Sequence, residues 1–287
     1  MSPSDDVIRD QAPAIGVFDS GVGGLTVLAE LHRLLPDERT VYLGDTARVP
    51  YGTRSADAVV RYAHNNTRTL LECSPLKAVV IACNTASAVA LEPLQQALPV
   101  PVFGVIEPGA QAAIDATQGG RITVLGTKGT VRSGAYPKAL RALGHDGDVS
   151  QLACPLLVPL VEESWLQGDI PDRVVRTYLR DLDDDTDTLV LGCTHYPLLR
   201  DVIRQQASEV LGRDVAVVDG GMAVARQVQQ VLEVQRESAT SLSAPHRYLA
   251  TDAPDQVAQL SRTFLGQQLD DDDVELVNVI MHELPPS

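Results

Sequence analysis

The chain has 287 residues, 44% of them apolar, a length and composition that suit two folded domains better than one core. Its formal charge of −15, with lysine only at Lys77, Lys128 and Lys138, disfavours nonspecific binding to nucleic acid or anionic membrane. No apolar run approaches the roughly 18 residues needed to span a bilayer, and Met1-Ser-Pro-Ser-Asp-Asp6 has neither the basic region nor the apolar segment of a secretory signal, so a cytoplasmic protein without membrane contact is expected.

Residues 1–13, polar and acidic, are predicted to form a disordered leader. Ile15-Gly-Val-Phe18 reads as a short strand, followed by the turn Asp19-Ser-Gly-Val-Gly-Gly24. Leu25, Leu28, Leu31 and Leu35 then recur at helical spacing until Pro36. A glycine turn feeding a helix N-terminus favours anions, because unpaired N–H groups and the helix dipole point outward. The G-x-G-x-x-G spacing of a dinucleotide site is absent, which leaves a tight turn needing positive φ or a direct ligand contact as the two readings of these glycines. Asp19 and Ser20 are either an N-cap pair or functional groups at a strand end.

Thr40-Val-Tyr-Leu43 is the next predicted strand, and Gly44-Asp-Thr-Ala-Arg-Val-Pro-Tyr-Gly52 a loop dense in turn residues. A helix is predicted over about 55–72, then the apolar run of Ala78-Val-Val-Ile-Ala-Cys-Asn-Thr-Ala-Ser87, then a helix over about 86–97. Val102-Phe-Gly-Val-Ile106 reads as a strand, and Glu107-Pro-Gly109 as a hinge or crossing between halves. Ile122-Thr-Val-Leu-Gly-Thr-Lys-Gly-Thr130 repeats the strand-and-turn form of Ile15 to Gly24 at an offset of about 107. Val158-Pro159 falls 109 residues after Val49-Pro50, and Thr188-Leu-Val-Leu-Gly-Cys-Thr-His-Tyr-Pro197 falls 110 after the first cysteine strand. Similar offsets in one order indicate a duplicated α/β unit. Val215-Ala-Val-Val-Asp219, the helix opened by Gly220-Gly-Met-Ala223 and a last strand at Arg247-Tyr-Leu-Ala-Thr251 look surplus to the repeat. The expected fold is α/β: two pseudo-symmetric domains with mainly parallel sheets and a site in the cleft between them. Residues 1–104 with 215–268 would form the first domain, 105–214 the second, and 269–287 an acidic, solvated tail.

Four cysteines occur, at 73, 83, 154 and 193, without a C-x-x-C pair, so neither a zinc ribbon nor a thioredoxin-type motif is supported, and no metal is expected. Cys73 and Cys154 read as small buried hydrophobes. Cys83 and Cys193 differ, because each ends a buried-strand pattern and is followed by small polar residues, and ligands of open α/β sheets bind at the carboxyl ends of strands. One thiol from each half would put a base on each face of a bound molecule, which suits inversion of a carbon acid: one thiolate removes a proton and the opposite thiol delivers another. Backbone N–H groups at Ser20, Asn84, Thr85 and Thr194 are candidates for holding carboxylates. A Schiff-base cofactor needs a lysine, and only Lys128 lies in a candidate site loop.

Phe18-Asp-Ser-Gly-Val-Gly-Gly24, the loop Gly44–Gly52, Ala82-Cys-Asn-Thr-Ala86, Ala153-Cys-Pro-Leu-Leu-Val-Pro159 and Gly192-Cys-Thr-His-Tyr-Pro197 together resemble the glutamate racemases of the aspartate/glutamate racemase family. The resemblance spans about residues 14–252, with the motifs in family order. It implies a cofactor-independent, two-base isomerase that supplies D-glutamate for peptidoglycan, and hence for cell-wall biogenesis and cell shape. By the same resemblance Cys83 acts on D-glutamate and Cys193 on L-glutamate, with Asp19 and His195 as their acid–base neighbours. Glu162 would pair with His195, although adjacent Glu163 is an alternative. Ser20, Tyr51, Gly52, Asn84, Thr85, Thr130 and Thr194 are the implied substrate-binding residues. The partner expected is the small molecule glutamate, and a homodimer is a candidate assembly, since the family forms dimers in more than one way. Asp219-Gly-Gly-Met-Ala223 departs from the family, which more often has serine after the aspartate and an acidic residue at 222. The rivals are an aspartate-directed racemase, disfavoured by His195, and a non-catalytic binding protein on the same fold, disfavoured by retention of both cysteines with Asp19 and His195.

Overall fold

The computed structural model describes residues 13–235 and 246–279. The leader expected over 1–13 therefore lies, but for Pro13, outside the described residues.

The described residues build two sheets in which every strand pair is parallel. The first half contributes β1 (Ala14–Asp19), β2 (Thr40–Gly44), β3 (Leu76–Ile81) and β4 (Val102–Gly104), arranged β2-β1-β3-β4. The second contributes β5 (Arg121–Gly126), β6 (Val149–Ala153), β7 (Thr186–Gly192) and β8 (Ala216–Asp219), arranged β6-β5-β7-β8. The two orders are the same, so the duplication seen in the sequence is a duplication of topology. β1 is buried at every residue, as expected of a central parallel strand covered on both faces.

β8 belongs to the second sheet. Residues 215–219 were expected to return to the first domain, but β8 pairs with β7, with Leu189 opposite Val217. It is the counterpart of β4 and completes the second unit, and Arg200 ties it down through Asp219 and the Val217 carbonyl. The return begins one element later. α10 (Gly221–Gln235) packs against α1 (Leu25–Leu34), whose Leu25, Leu28 and Leu31 are buried, as is Leu35 just beyond it.

Nor is the strand at Arg247 the last one. β9 (Arg247–Ala250) extends the first sheet beside β2, and β10 (Val274–Leu276) pairs with β9 at the edge. Residues expected to be a solvated tail thus supply a strand. The aspartate run between them caps a turn, with Asp270 and Asp273 exchanging hydrogen bonds, while Leu269 and Val274 on either side are buried. Residues 280–287 lie outside the described residues. α11 (Pro254–Leu265) connects β9 to this edge.

The remaining helices are α2 (Ala56–Cys73), α3 (Asn84–Ala97), α4 (Ile106–Ala116), α5 (Lys128–Ser133), α6 (Ala135–Ala142), α7 (Leu157–Glu162), α8 (Asp169–Leu179) and α9 (Arg200–Leu211). The expected hinge at Glu107-Pro-Gly109 is the first turn of α4, and the strand before it ends at Gly104 instead of Ile106. Pro108 is tolerated there because N–H groups of a first helical turn have no intrahelical acceptor. α4 is the crossing between the two sheets. Val49-Pro50 lies in a loop, whereas Val158-Pro159 lies within α7, so that pair of matched dipeptides differs in local structure. Among the described residues no helix is long and apolar enough to cross a membrane.

Candidate active site

β1 and β3 are neighbours at the centre of the first sheet, and β5 and β7 at the centre of the second. The chain leaves them at Asp19-Ser20, Cys83-Asn84, Thr127-Lys128 and Cys193-Thr194-His195. These carboxyl ends meet around a cavity of about 340 Å³ lined by residues of both halves, both thiols included. Val49-Pro50 and Val158-Pro159 also reach it, so the dipeptides that differ in local structure still meet at one cleft.

On the first side, Cys83 is the N-cap of α3 and 6% exposed. Its thiol is directed at the Ser20 hydroxyl, 3.6 Å away. Burial, then the nearby Asp19 charge, push this thiol up to about 12, against the opposing effect of the Ala86 amide and the Ser20 hydroxyl. Asp19 does not line the cavity. It lies fully buried behind it, accepting a hydrogen bond from the Gly21 amide at 2.9 Å and one from Thr194 Oγ1 at 3.5 Å. Burial raises its carboxyl above the ordinary range, opposed by His195 and by the amides of Gly21, Gly24 and Ser20.

On the second side, Cys193 Sγ lies 3.9 Å from His195 Nδ1, and His195 Nε2 lies 2.9 Å from Glu162 Oε1. Glu162, at the end of α7, is thus the residue that meets the histidine, while adjacent Glu163 caps the helix and is exposed. Burial alone would lower the His195 pKa, but hydrogen bonds to Cys193 and Glu162 outweigh it and raise it to about 10. The edge of Phe264 from α11 packs on the ring, with centroids 5.3 Å apart.

Hydroxyls join the two halves at the rim. Thr85 Oγ1 lies 2.9 Å from Thr127 Oγ1 and 3.3 Å from Thr130 Oγ1. Thr130 is fully buried behind this pair and, like Asp19, does not line the cavity; the other ten residues expected at the site do. Tyr51 is buried, with its hydroxyl donating to Asp45 and accepting from Asn66 at 3.0 Å. Asn84 accepts a hydrogen bond from Tyr136 of the second half at 2.8 Å. Thr127 was missed by the sequence reading although a signal existed: in the repeat it occupies the place of Ser20, the first residue past the first strand of its unit. Lys128 also lines the cavity, whereas Tyr136 carried no sequence signal, because only the fold brings it to Asn84.

The glycines of Asp19–Gly24 serve neither reading given above. None of Gly21, Gly23 and Gly24 has positive φ, and none lines the cavity. They permit close approach instead. A β-carbon on Gly23 would lie 2.2 Å from Thr194 Oγ1 and 2.4 Å from His195 Nδ1, and one on Gly24 would lie 2.4 Å from Asp19 Cβ. Gly23 is where the second half packs its cysteine turn onto the first.

Two buried thiols, one from each half, line one cavity, each with its own ionisable neighbour, an arrangement compatible with a racemase or epimerase cleft. A family model described as Asp/Glu/Hydantoin racemase matches residues 15–228, and the chain belongs to that family. Among its relatives is the glutamate racemase of Geobacter metallireducens, 49% identical over 90% of this chain and 94% of the relative. Among solved structures, the glutamate racemase isoform RacE1 of Bacillus anthracis superposes with a TM-score of 0.83 at 39% identity, covering 94% of this chain and 98% of that one. The glutamate racemase of Francisella tularensis in complex with D-glutamate gives a TM-score of 0.83 at 31% identity over the same shares of the two chains.

Proposed function

We propose that this chain interconverts L- and D-glutamate without a cofactor, with Cys83 and Cys193 as the two acid–base groups. The observation that carries this reading is that thiols from equivalent strand ends of two duplicated sheets line one cavity. Glutamate as substrate is supported by the relatives of known name and by the solved complex with D-glutamate.

In the reading proposed, Cys83 removes the α-proton of D-glutamate and Cys193 that of L-glutamate, the opposite thiol protonating the other face of the carbanionic centre. His195 is the acid–base neighbour on the Cys193 side, and Glu162 holds the imidazole in place. Asp19, behind Ser20, is the acid–base neighbour on the Cys83 side. Glutamate's carboxylates are held by hydroxyls and amides of Ser20, Tyr51-Gly52, Asn84, Thr85 and Thr194, with Thr130 supporting Thr85 and Thr127 from behind. The same reading places the activity in the cytoplasm, as a supply of D-glutamate for peptidoglycan. It makes the first domain residues 14–104 with the return from α10 onward, and the second residues 105–219. A homodimer is the assembly proposed, supported by the exposure of Leu156, Trp165 and Ile170 along one short stretch.

The test is incubation of L-glutamate and, separately, L-aspartate with the purified protein and no added cofactor. Loss of optical rotation with glutamate and none with aspartate is expected. No loss with glutamate, or loss only after pyridoxal phosphate is added, overturns the reading.

A further inference from the structure

One fully buried side chain touches both cysteine turns and has no part in the mechanism above. Tyr136, on α6, donates its hydroxyl proton to Asn84 Oδ1 at 2.8 Å, and Asn84 directly follows Cys83. The ring of the same tyrosine lies against Gly192, which directly precedes Cys193: a β-carbon at Gly192 would lie 3.1 Å from Tyr136 Cε2. One at Gly109, the start of the crossing helix α4, would lie 3.1 Å from the hydroxyl oxygen. A single rigid group therefore spans from the turn bearing one thiol to the turn bearing the other, with a glycine facing its ring and another facing its hydroxyl.

The hydrogen bond also decides how Asn84 faces the cavity. A carboxamide has an accepting end and a donating end, and only the donating end suits a carboxylate. With Oδ1 engaged by the Tyr136 hydroxyl, Nδ2 is left for the cavity, whose wall Asn84 forms. The hydroxyl is held for this use, since burial raises the Tyr136 pKa well above that of a free phenol and keeps it a donor.

We propose that Tyr136 is a positioning residue for the racemisation: it fixes Asn84 with its N–H₂ group toward the substrate and holds the two cysteine turns in register across the domain boundary. The proposal rests on the glutamate reading given above. Tyr136→Phe removes only the hydroxyl, leaving the spacer ring in place and Asn84 free to turn its oxygen toward the carboxylate. Losing one hydrogen bond to a charged group is expected to raise KM for both enantiomers about tenfold, with kcat changed by less than about threefold. Because the hydroxyl acts through Asn84, Tyr136→Phe is expected to have no further effect on KM in an Asn84→Ala background.

The experiment is initial-rate racemisation in both directions for the parent, the two single variants and the double variant, with thermal melting of each. Tyr136→Phe with parental KM overturns the proposal, even if its melting temperature falls, because that is what a purely structural tyrosine would give. A double variant worse in KM than Asn84→Ala also overturns it. That comparison still decides the matter if Tyr136→Phe alone fails to fold, since Asn84→Ala removes the acceptor that the missing hydroxyl would orphan. A parent that leaves glutamate unchanged refutes the functional reading itself, and is told apart by the parent control.

Discussion

At the residue scale, the two thiols that line the cavity have different surroundings. Cys83 sits beside Ser20 with a buried carboxyl behind it, and burial pushes its pKa up. Cys193 sits beside His195, whose pKa is raised by its hydrogen bonds to Cys193 and Glu162. If each thiol serves one face of the substrate, Cys83→Ser and Cys193→Ser should each lower kcat/KM by about 10²–10⁴-fold, the usual contribution of one positioned acid–base group. The loss should be equal in the two directions, because enantiomers have equal free energy and the ratio of the two kcat/KM values is fixed at unity. A variant that keeps parental kcat/KM, measured by chiral chromatography from each enantiomer, contradicts the assignment. The residues of this site were legible in sequence where each stands next to a strand-end cysteine or in a family motif. Tyr136 and the packing role of Gly23 were not, since their partners lie in the other half of the chain and only folding brings them together.

At the element scale, the sequence showed the strands and helices that carry strong apolar patterns, and it misassigned the short ones. β8 was recognised as a strand but joined to the wrong sheet, because pattern reports burial and is silent on which neighbour supplies it. β10 was hidden by the aspartates before it, which read as a solvated tail although they cap a turn between two buried residues. Its place at the edge of the first sheet has a measurable consequence. Deleting residues 269–287 would remove buried Leu269 and Val274 and expose the edge of β9. At about 1.5–3 kcal/mol per buried side chain, the melting temperature should fall on the order of 10 °C. A truncated protein melting together with the parent would mean that β10 adds nothing to the sheet. The Asp19–Gly24 turn makes a second point at this scale. Its glycines looked like a ligand loop, but Gly23 is the contact surface for Thr194 and His195. Gly23→Ala should therefore push the second cysteine turn away and lower kcat/KM by about a hundredfold, as ångström-scale misplacement does. Parental activity in a folded Gly23→Ala variant would show that this contact does not set the site.

At the scale of the whole molecule, two units with the same strand order face each other so that equivalent strand ends meet. That arrangement suits a reaction symmetric about one carbon: similar groups from both halves line one cavity. The duplication was legible as offsets of similar motifs, and the α/β class followed from it. The facing of the two halves was an inference until the fold placed both cysteines on one cavity of about 340 Å³. The central claim is that a proton leaves to one thiol and a different proton arrives from the other. It is tested most directly by following L-glutamate in D2O from the first turnovers, with nuclear magnetic resonance of each separated enantiomer. The D-glutamate formed should carry deuterium at Cα from the outset, because its proton comes from a thiol equilibrated with solvent, while the remaining L-glutamate stays protiated. D-Glutamate that retains the original proton, carried from face to face by a single base, would contradict the account.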